Sequence, residues 1–239
     1  LPNNLNTEQI LVRSSNIGAV RIAQKVGIDK YKDFLNKLGL LDTINFDLEE
    51  VGSPISFRWG KCKLATTSYG HGITTTPLQL ARAYAIIGNG GYKVDPSILK
   101  TKKNSFEERE KIISTKTSEA INLMLRKVVS LNEGTANFAD IKGYDIGGKT
   151  GTAVKYNSKG KLNTFVSLFP ASRPKYVLVV ILDEPKAAPD FIYKFPPSPN
   201  FPNGYKYKGE TRNTSGWNTV VIAGKIIEKI GPILAINNL

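Results

Sequence analysis

The 239-residue chain predicts an α+β fold, an antiparallel sheet flanked by helices, and three observations lead there. Residues 1–146 place apolar side chains at helical spacing between recognisable caps. At 147 the period shortens to that of strands, through three β-rich runs ending at 184. Helical spacing returns over 217–239, after a proline-rich interval at 185–216. Turns as short as "NSKGK" and "SRP" leave no room for a crossover helix, so the three strands pair with their chain neighbours in antiparallel fashion.

The elements follow in order. Asn6 and Gln9 form a capping box for a short helix through "TEQILVR", which has to break at "SSNIG". Ala19, Ile22, Ala23 and Val26 then share a helical face that Gly27 ends. Asp29 is expected to cap a third helix carrying Tyr31, Phe34, Leu35 and Leu38, closed by Gly39. Residues 41–76 read as irregular. Thr76-Pro77 starts a strong helix with Leu80, Ala83, Tyr84 and Ile87 on one face, and another spans about 115–130 with Ile121, Met124, Leu125 and Val128 inward. The interval 185–216 holds Pro185, Pro189, Pro196, Pro197, Pro199 and Pro202, which predicts a long loop without regular structure. The last helix should begin near Trp217, bury Val220, Ala223, Gly224 and Ile227, and stop at Gly231-Pro232.

Composition narrows the function classes. A hydrophobic content of 41% suffices for a packed core, whereas the longest strictly apolar run, Val177–Leu182, is far short of the roughly 20 residues of a membrane helix. The chain starts at Leu1 with no secretory leader, which suggests a fragment. One cysteine, Cys62, excludes an internal disulfide and a cysteine-rich metal site, and is expected to be a small buried or half-buried thiol; no metal or cofactor is predicted. The net charge of +13 would attract polyanions, yet the basic residues are scattered. "KTKKN" (100–104) and "KYNSKGK" (155–161) fall in loops without interleaved aromatics, the pattern of a solvated surface rather than of a nucleic-acid site.

Gly143–Thr150 satisfies G-x-x-x-x-G-K-[ST], the pattern of a nucleotide-binding phosphate loop, and Asp183-Glu184 after an apolar run would suit magnesium. Such a loop requires a strand before the first glycine and a helix at the Lys-Thr. Neither flank provides it, so an ATPase is the weaker reading. On a strand, Lys149 and Gly151 would share one face and Thr150 and Thr152 the other. Gly151 would let a ligand approach the backbone, the Thr152 amide could face a developing oxyanion, and a lysine with two hydroxyls suits a carboxylate. The plain alternative is a glycine-containing hairpin with a surface lysine.

"SSN" (14–16) between helices and "KTGT" (149–152) on a strand occur in this order in penicillin-recognising serine enzymes. With "SYGHGITTTPLQLARAYAIIGNGG", "EGTANFADIKGYDIGGKTGTA" and "LDEPK", the chain resembles the transpeptidase domain of class B penicillin-binding proteins, nearest the division-specific peptidoglycan D,D-transpeptidases. The resemblance runs from about residue 6 to 184 and resumes at "TSGWNTVVIAGKIIEKI"; the proline-rich interval departs from it.

The resemblance implies a serine acyl-enzyme formed on an S-x-x-K pair that should precede Ser14 and does not. Ser97–Lys100, Ser158–Lys161 and Ser172–Lys175 match the pattern but come too late. It implies that residues 1–239 are the C-terminal portion of one domain, with the first strands and the nucleophile helix missing and the fragment inert alone. By position, Ser14 would relay a proton to the leaving group, Asn16 would orient the substrate backbone and Lys149 would supply positive potential. Thr150 and Thr152 would bind a carboxylate beside Gly151, and Tyr69 and the sole histidine, His71, would sit at the cleft rim. A helix cap is the bland reading of Ser14 and Asn16, and local hydrogen bonding that of His71. The implied partners are D-Ala-D-Ala stem peptides, β-lactam antibiotics and other division proteins, at the periplasmic face of the bacterial inner membrane through an anchor outside this chain. A β-lactamase or D,D-carboxypeptidase of the same fold is the related alternative.

Overall fold

A computed structural model describes residues 4–100, 109–156, 158–195, 197, 202–210 and 212–236. Helices α1 (Thr7–Val12), α2 (Asn16–Val26), α3 (Ile28–Lys37), α4 (Lys61–Thr67), α5 (Pro77–Gly88) and α6 (Thr115–Ser130) precede strands β1 (Gly147–Val154), β2 (Lys161–Phe169) and β3 (Tyr176–Asp183). A short hairpin follows, β4 (Ile192–Phe195) and β5 (Tyr205–Lys208), and helix α7 (Thr219–Ile236) ends the described chain. Among the described residues no helix is long and apolar enough to cross a membrane.

The sheet is antiparallel in the order β1-β2-β3, which leaves β1 at an edge. Its register pairs Lys149 with Val166, Thr150 with Phe165 and Thr152 with Asn163, so alternation sends Lys149 and Gly151 to one face and Thr150 and Thr152 to the other, as the pattern predicts. Phe165 and Phe169 of β2 join Val220, Ala223 and Ile227 of α7, Val128 and Val129 of α6 and Val12 of α1 in the main core. Leu168 turns to the opposite face against Gly88 of α5, where an added Cβ would come within 3.2 Å of it. Leu38, Ala83 and Ile86 form a smaller core among the helices.

The capping boxes of Asn6 with Gln9 and of Thr76 with Gln79 form as their spacing predicts. Other expectations change. α3 starts at Ile28 with Gly27 as its cap, because the φ of +84° at Gly27 both ends α2 and opens α3; Asp29 therefore lies inside the first turn. Residues 41–76 contain α4, whose Leu64 and Thr67 are buried. Cys62 is exposed rather than buried, since it lies on the outer side of that helix's first turn. In α5 the fully buried face is Gln79, Ala83 and Ile86, with Leu80, Tyr84 and Ile87 half-buried; the Gln79 amide donates to the carbonyls of Gly39 (3.2 Å) and Asp42 (2.6 Å), which makes a polar side chain acceptable there.

The 185–216 interval is not wholly irregular, because β4 and β5 pair from Ile192 with Lys208 to Phe195 with Tyr205. Pro185 and Pro189 precede the ladder and Pro197 and Pro202 lie beyond its rungs, so none of them has to donate within it; Pro196 and Pro199 fall outside the described residues. Tyr193, Phe195, Tyr207, Trp217 and Phe138 then pack as one aromatic cluster, with centroids 4.8–6.2 Å apart for the pairs of Trp217 with Tyr193, Phe138 and Phe195. α7 runs through Pro232 instead of stopping there. The break would be at the 228 carbonyl, near the helix end, while Gly231 lies against the Tyr144 ring at a distance that admits no Cβ and seats the last turn. The loop predicted at 100–104 lies outside the described residues beyond Lys100.

Candidate active site

The short helix α1 ends in a turn that aims one side chain. Ser14 takes φ +55°, a left-handed conformation that costs a non-glycine residue energy and recurs at functional positions. Its N–H donates to the Leu11 carbonyl at 3.2 Å, and the Ser15 N–H donates to that of Ile10 at 2.9 Å. Ser15, not Ser14 or Asn16, caps α2, with its hydroxyl accepting from the Gly18 N–H at 3.2 Å. The bland reading of this run therefore belongs to Ser15. Ser14 and Asn16 are left with exposed side chains at the mouth of a cleft of about 580 Å³.

Lys149 reaches this turn from β1, on the other side of the cleft. Its Nζ donates to Ser14 Oγ at 2.6 Å and to the Thr150 carbonyl at 3.2 Å. Burial lowers its ammonium from the ordinary 10.5 to about 8, because the charge has lost water. Among the described residues no carboxylate pairs with it. This is a lysine able to give and take a proton near neutral pH.

The other face of β1 carries the hydroxyls. Thr150 Oγ1 and Thr135 Oγ1 are 2.7 Å apart, and Thr152 Oγ1 accepts the Ser215 N–H at 3.1 Å. Between them Gly151 is exposed, and a Cβ there would meet only Thr164, its Cβ at 3.7 Å and its carbonyl oxygen at 3.9 Å, both ordinary contacts, so the fold itself does not demand glycine. Its missing side chain leaves the strand edge bare toward the cleft. Gly216 and Trp217 form the far wall with Phe138 and Phe195. Tyr69 and His71 also line the cleft; the His71 ring stacks with Tyr69 at 6.3 Å and packs against Tyr156 at 5.4 Å, while the His71 backbone N–H donates to the Thr66 carbonyl at 2.9 Å.

The phosphate-loop reading ends here, because the Lys149-Thr150 pair lies inside β1 and no helix begins at it. Of the S-x-x-K matches, Ser97 lies in an irregular segment and Ser158 and Ser172 in turns beside strands; none heads a helix or lines the cleft. Of the six site residues predicted by position, Ser14, Asn16, Thr150, Gly151 and Thr152 line one cleft, and Lys149 joins them through its hydrogen bond to Ser14. Missed were Thr135, Ser215, Trp217 and Tyr156. "EGTAN" carried the signal for Thr135 and "TSGWN" that for Ser215 and Trp217, whereas Phe195 had none because its place in the wall depends on how the 185–216 interval folds back.

With Ser14, Asn16 and Lys149-Thr150-Gly151-Thr152 around one cleft, comparison with known proteins decides the family. The family described as penicillin binding protein transpeptidase domain matches residues 2–194. The chain belongs to this family. It is 31% identical over 245 residues to the probable peptidoglycan D,D-transpeptidase FtsI of Caulobacter vibrioides, covering 97% of this chain and 38% of that protein. It is 35% identical over 196 residues to the peptidoglycan D,D-transpeptidase FtsI of Escherichia coli, covering 77% of this chain and 32% of the relative. The transpeptidase domain of penicillin-binding protein 3 from Burkholderia pseudomallei superposes with a TM-score of 0.73 at 26% identity, over 94% of this chain and 65% of that one. Penicillin-binding protein 3 of Mycobacterium tuberculosis, solved in complex with aztreonam, gives the same TM-score at 26% identity, over 95% and 52%. The chain thus has the mixed helical and antiparallel fold of its family and spans well under half the length of the curated relatives it matches.

Proposed function

We propose that residues 1–239 are the C-terminal portion of a single D,D-transpeptidase domain that cross-links peptidoglycan stem peptides ending in D-Ala-D-Ala, with β-lactams as alternative acyl donors. The observation that carries this reading is the 2.6 Å contact of Lys149 Nζ with Ser14 Oγ, between residues 135 positions apart, beside the cleft that Ser14 lines. In this reading a serine outside these residues attacks the penultimate D-Ala carbonyl. As its Oγ bonds to carbon it gives its own proton to a base that, like the serine, lies outside these residues; as the peptide C–N bond breaks, Ser14 gives its proton to the departing D-Ala amine and takes one from Lys149. The acceptor amine later attacks the ester and its proton returns through Ser14 to Lys149; the ester C–O bond breaks and the serine oxygen recovers its proton from the outside base. A lysine near 8 makes both directions accessible at neutral pH.

Asn16 holds the stem backbone, Thr150 and Thr152 donate to its terminal carboxylate, and Gly151 leaves room for it beside β1. The Thr152 N–H supplies half of the oxyanion hole. The whole protein works at the periplasmic face of the inner membrane, on an anchor outside these residues, among other division proteins.

Two measurements test this. Fluorescent penicillin leaves no denaturation-stable adduct on the 239-residue chain; such an adduct would place the nucleophile among these residues. Titration with N-acetyl-D-alanyl-D-alanine shifts the amide resonances of Asn16 and Thr150–Thr152, and silence at those positions would remove the site assignment.

A further inference from the structure

Thr150 and Thr152 share a face of β1, and each is met by a partner that has no role in the proposed reaction. A threonine hydroxyl holds one proton and two acceptor positions. At Thr152 the Ser215 N–H occupies an acceptor position at 3.1 Å, which frees the hydroxyl proton to point into the cleft. The Ser215 backbone is itself held, since its Oγ donates to the Thr164 carbonyl at 2.7 Å and lies 2.7 Å from Thr219 Oγ1.

At Thr150 the partner is the Thr135 hydroxyl, 2.7 Å away, and either oxygen can be the donor. A carboxylate in the cleft can only accept. Thr150 serves it only by turning its proton toward the anion, and then Thr135 must be the donor of the pair. The chain of donation runs from Thr135 to Thr150 to carboxylate, each bond polarising the next.

The chain around Thr135 holds that hydroxyl in place. A Cβ on Gly134 would lie 2.1 Å from the Val128 carbonyl oxygen, and one on Gly216 would lie 2.8 Å from the Thr135 carbonyl oxygen. Ala136 is fully buried and its N–H donates to the Val128 carbonyl at 3.2 Å. Thr135 is thus clamped between the end of α6 and the 215–217 turn, and its β-branched side chain has few rotamers to choose from. Its hydroxyl still lines the cleft.

Resting on the proposed carboxylate-binding role of this wall, we infer that Thr135 is a positioning residue that sets the Thr150 hydroxyl as a donor and thereby selects ligands carrying a free terminal carboxylate over neutral ones. The test uses the 239-residue chain, amide-resonance titration, and two ligands, N-acetyl-D-alanyl-D-alanine and its methyl ester. Thr135→Val is expected to weaken binding of the acid about fivefold, the worth of one net hydrogen bond, while ester binding stays unchanged. Thr135→Ser, which keeps the hydroxyl, restores the acid's affinity. Equal weakening of acid and ester by Thr135→Val, or no weakening of either, overturns the inference. Thr150→Val separates this from failure of the site reading: if it weakens the acid while Thr135→Val does not, only the inference fails. If neither variant nor the wild type distinguishes acid from ester, both fail.

Discussion

β1 and α2 face each other across the cleft, and they are held in place by different means. β1 is paired along its length with β2, and Phe165 behind it is fully buried against α7. Thr150 and Thr152 are further tied to Thr135 and Ser215. α2 buries Ala23 alone, while Ile17, Ile22 and Val26 stay exposed at 75%, 38% and 41%, against the expected inward face of Ile22 and Val26. Its position rests on packing against α1, α3 and α4, on the Ser15 cap and on Gly18, where a Cβ would lie 2.5 Å from Ile10 Cγ1. The strand wall is therefore fixed by deep burial and pairing, and the helix wall by a cap and by shallower packing on neighbouring helices. Lys149 joins them, so its hydrogen bond to Ser14 is where a change in either wall should be felt.

The largest expected effect is on the strand side. Phe165→Ala removes a fully buried ring beneath β1 and should cost about 3–5 kcal/mol, read from urea unfolding, whereas Ile17→Ser on α2 should stay within about 0.5 kcal/mol. Similar losses from the two variants would erase the contrast between the walls.

A smaller effect comes from Lys149 itself. Its folded value near 8 lies below the ordinary 10.5, so burying the charge opposes folding at neutral pH and the penalty is relieved as pH rises between those two values. Relative to Lys149→Met, the wild type should gain up to about 3 kcal/mol of stability between pH 8 and pH 10.5. A flat difference across that window would mean that the ammonium is not desolvated in the folded state. The smallest effect is at Ser15, where replacement by Ala should cost about 1 kcal/mol in thermal unfolding and broaden the Asn16 resonance while leaving Thr152 sharp. Equal broadening at both would show that the two walls move together.

How much was legible depended on the range of the interaction that decides each feature. The capping boxes at Asn6 and Thr76 depend on residues three apart and could be read off directly. The three strands and the alternation of Lys149 against Thr150 depend on period two, also local. The start of α3 was misplaced because Gly27 serves two helices. The β4–β5 hairpin was missed because its aromatic residues are stabilised by Phe138 and Trp217, distant in sequence, which outweighs the local proline signal.

The sequence by itself determined the types of most elements, α4 and the β4–β5 hairpin excepted, the order of the SSN and KTGT motifs, and through them the family. It could do so because caps, periods and motifs are written within a few residues. Only the tertiary structure decided that Ser15 rather than its neighbours is the cap, that Ser14 meets Lys149, and that Thr135 and Ser215 stand behind the two threonines. The contacts of Ser14, Thr135 and Ser215 join residues 15 to 135 positions apart, and no local pattern encodes which distant hydroxyl or amide the packed core will bring within a hydrogen bond.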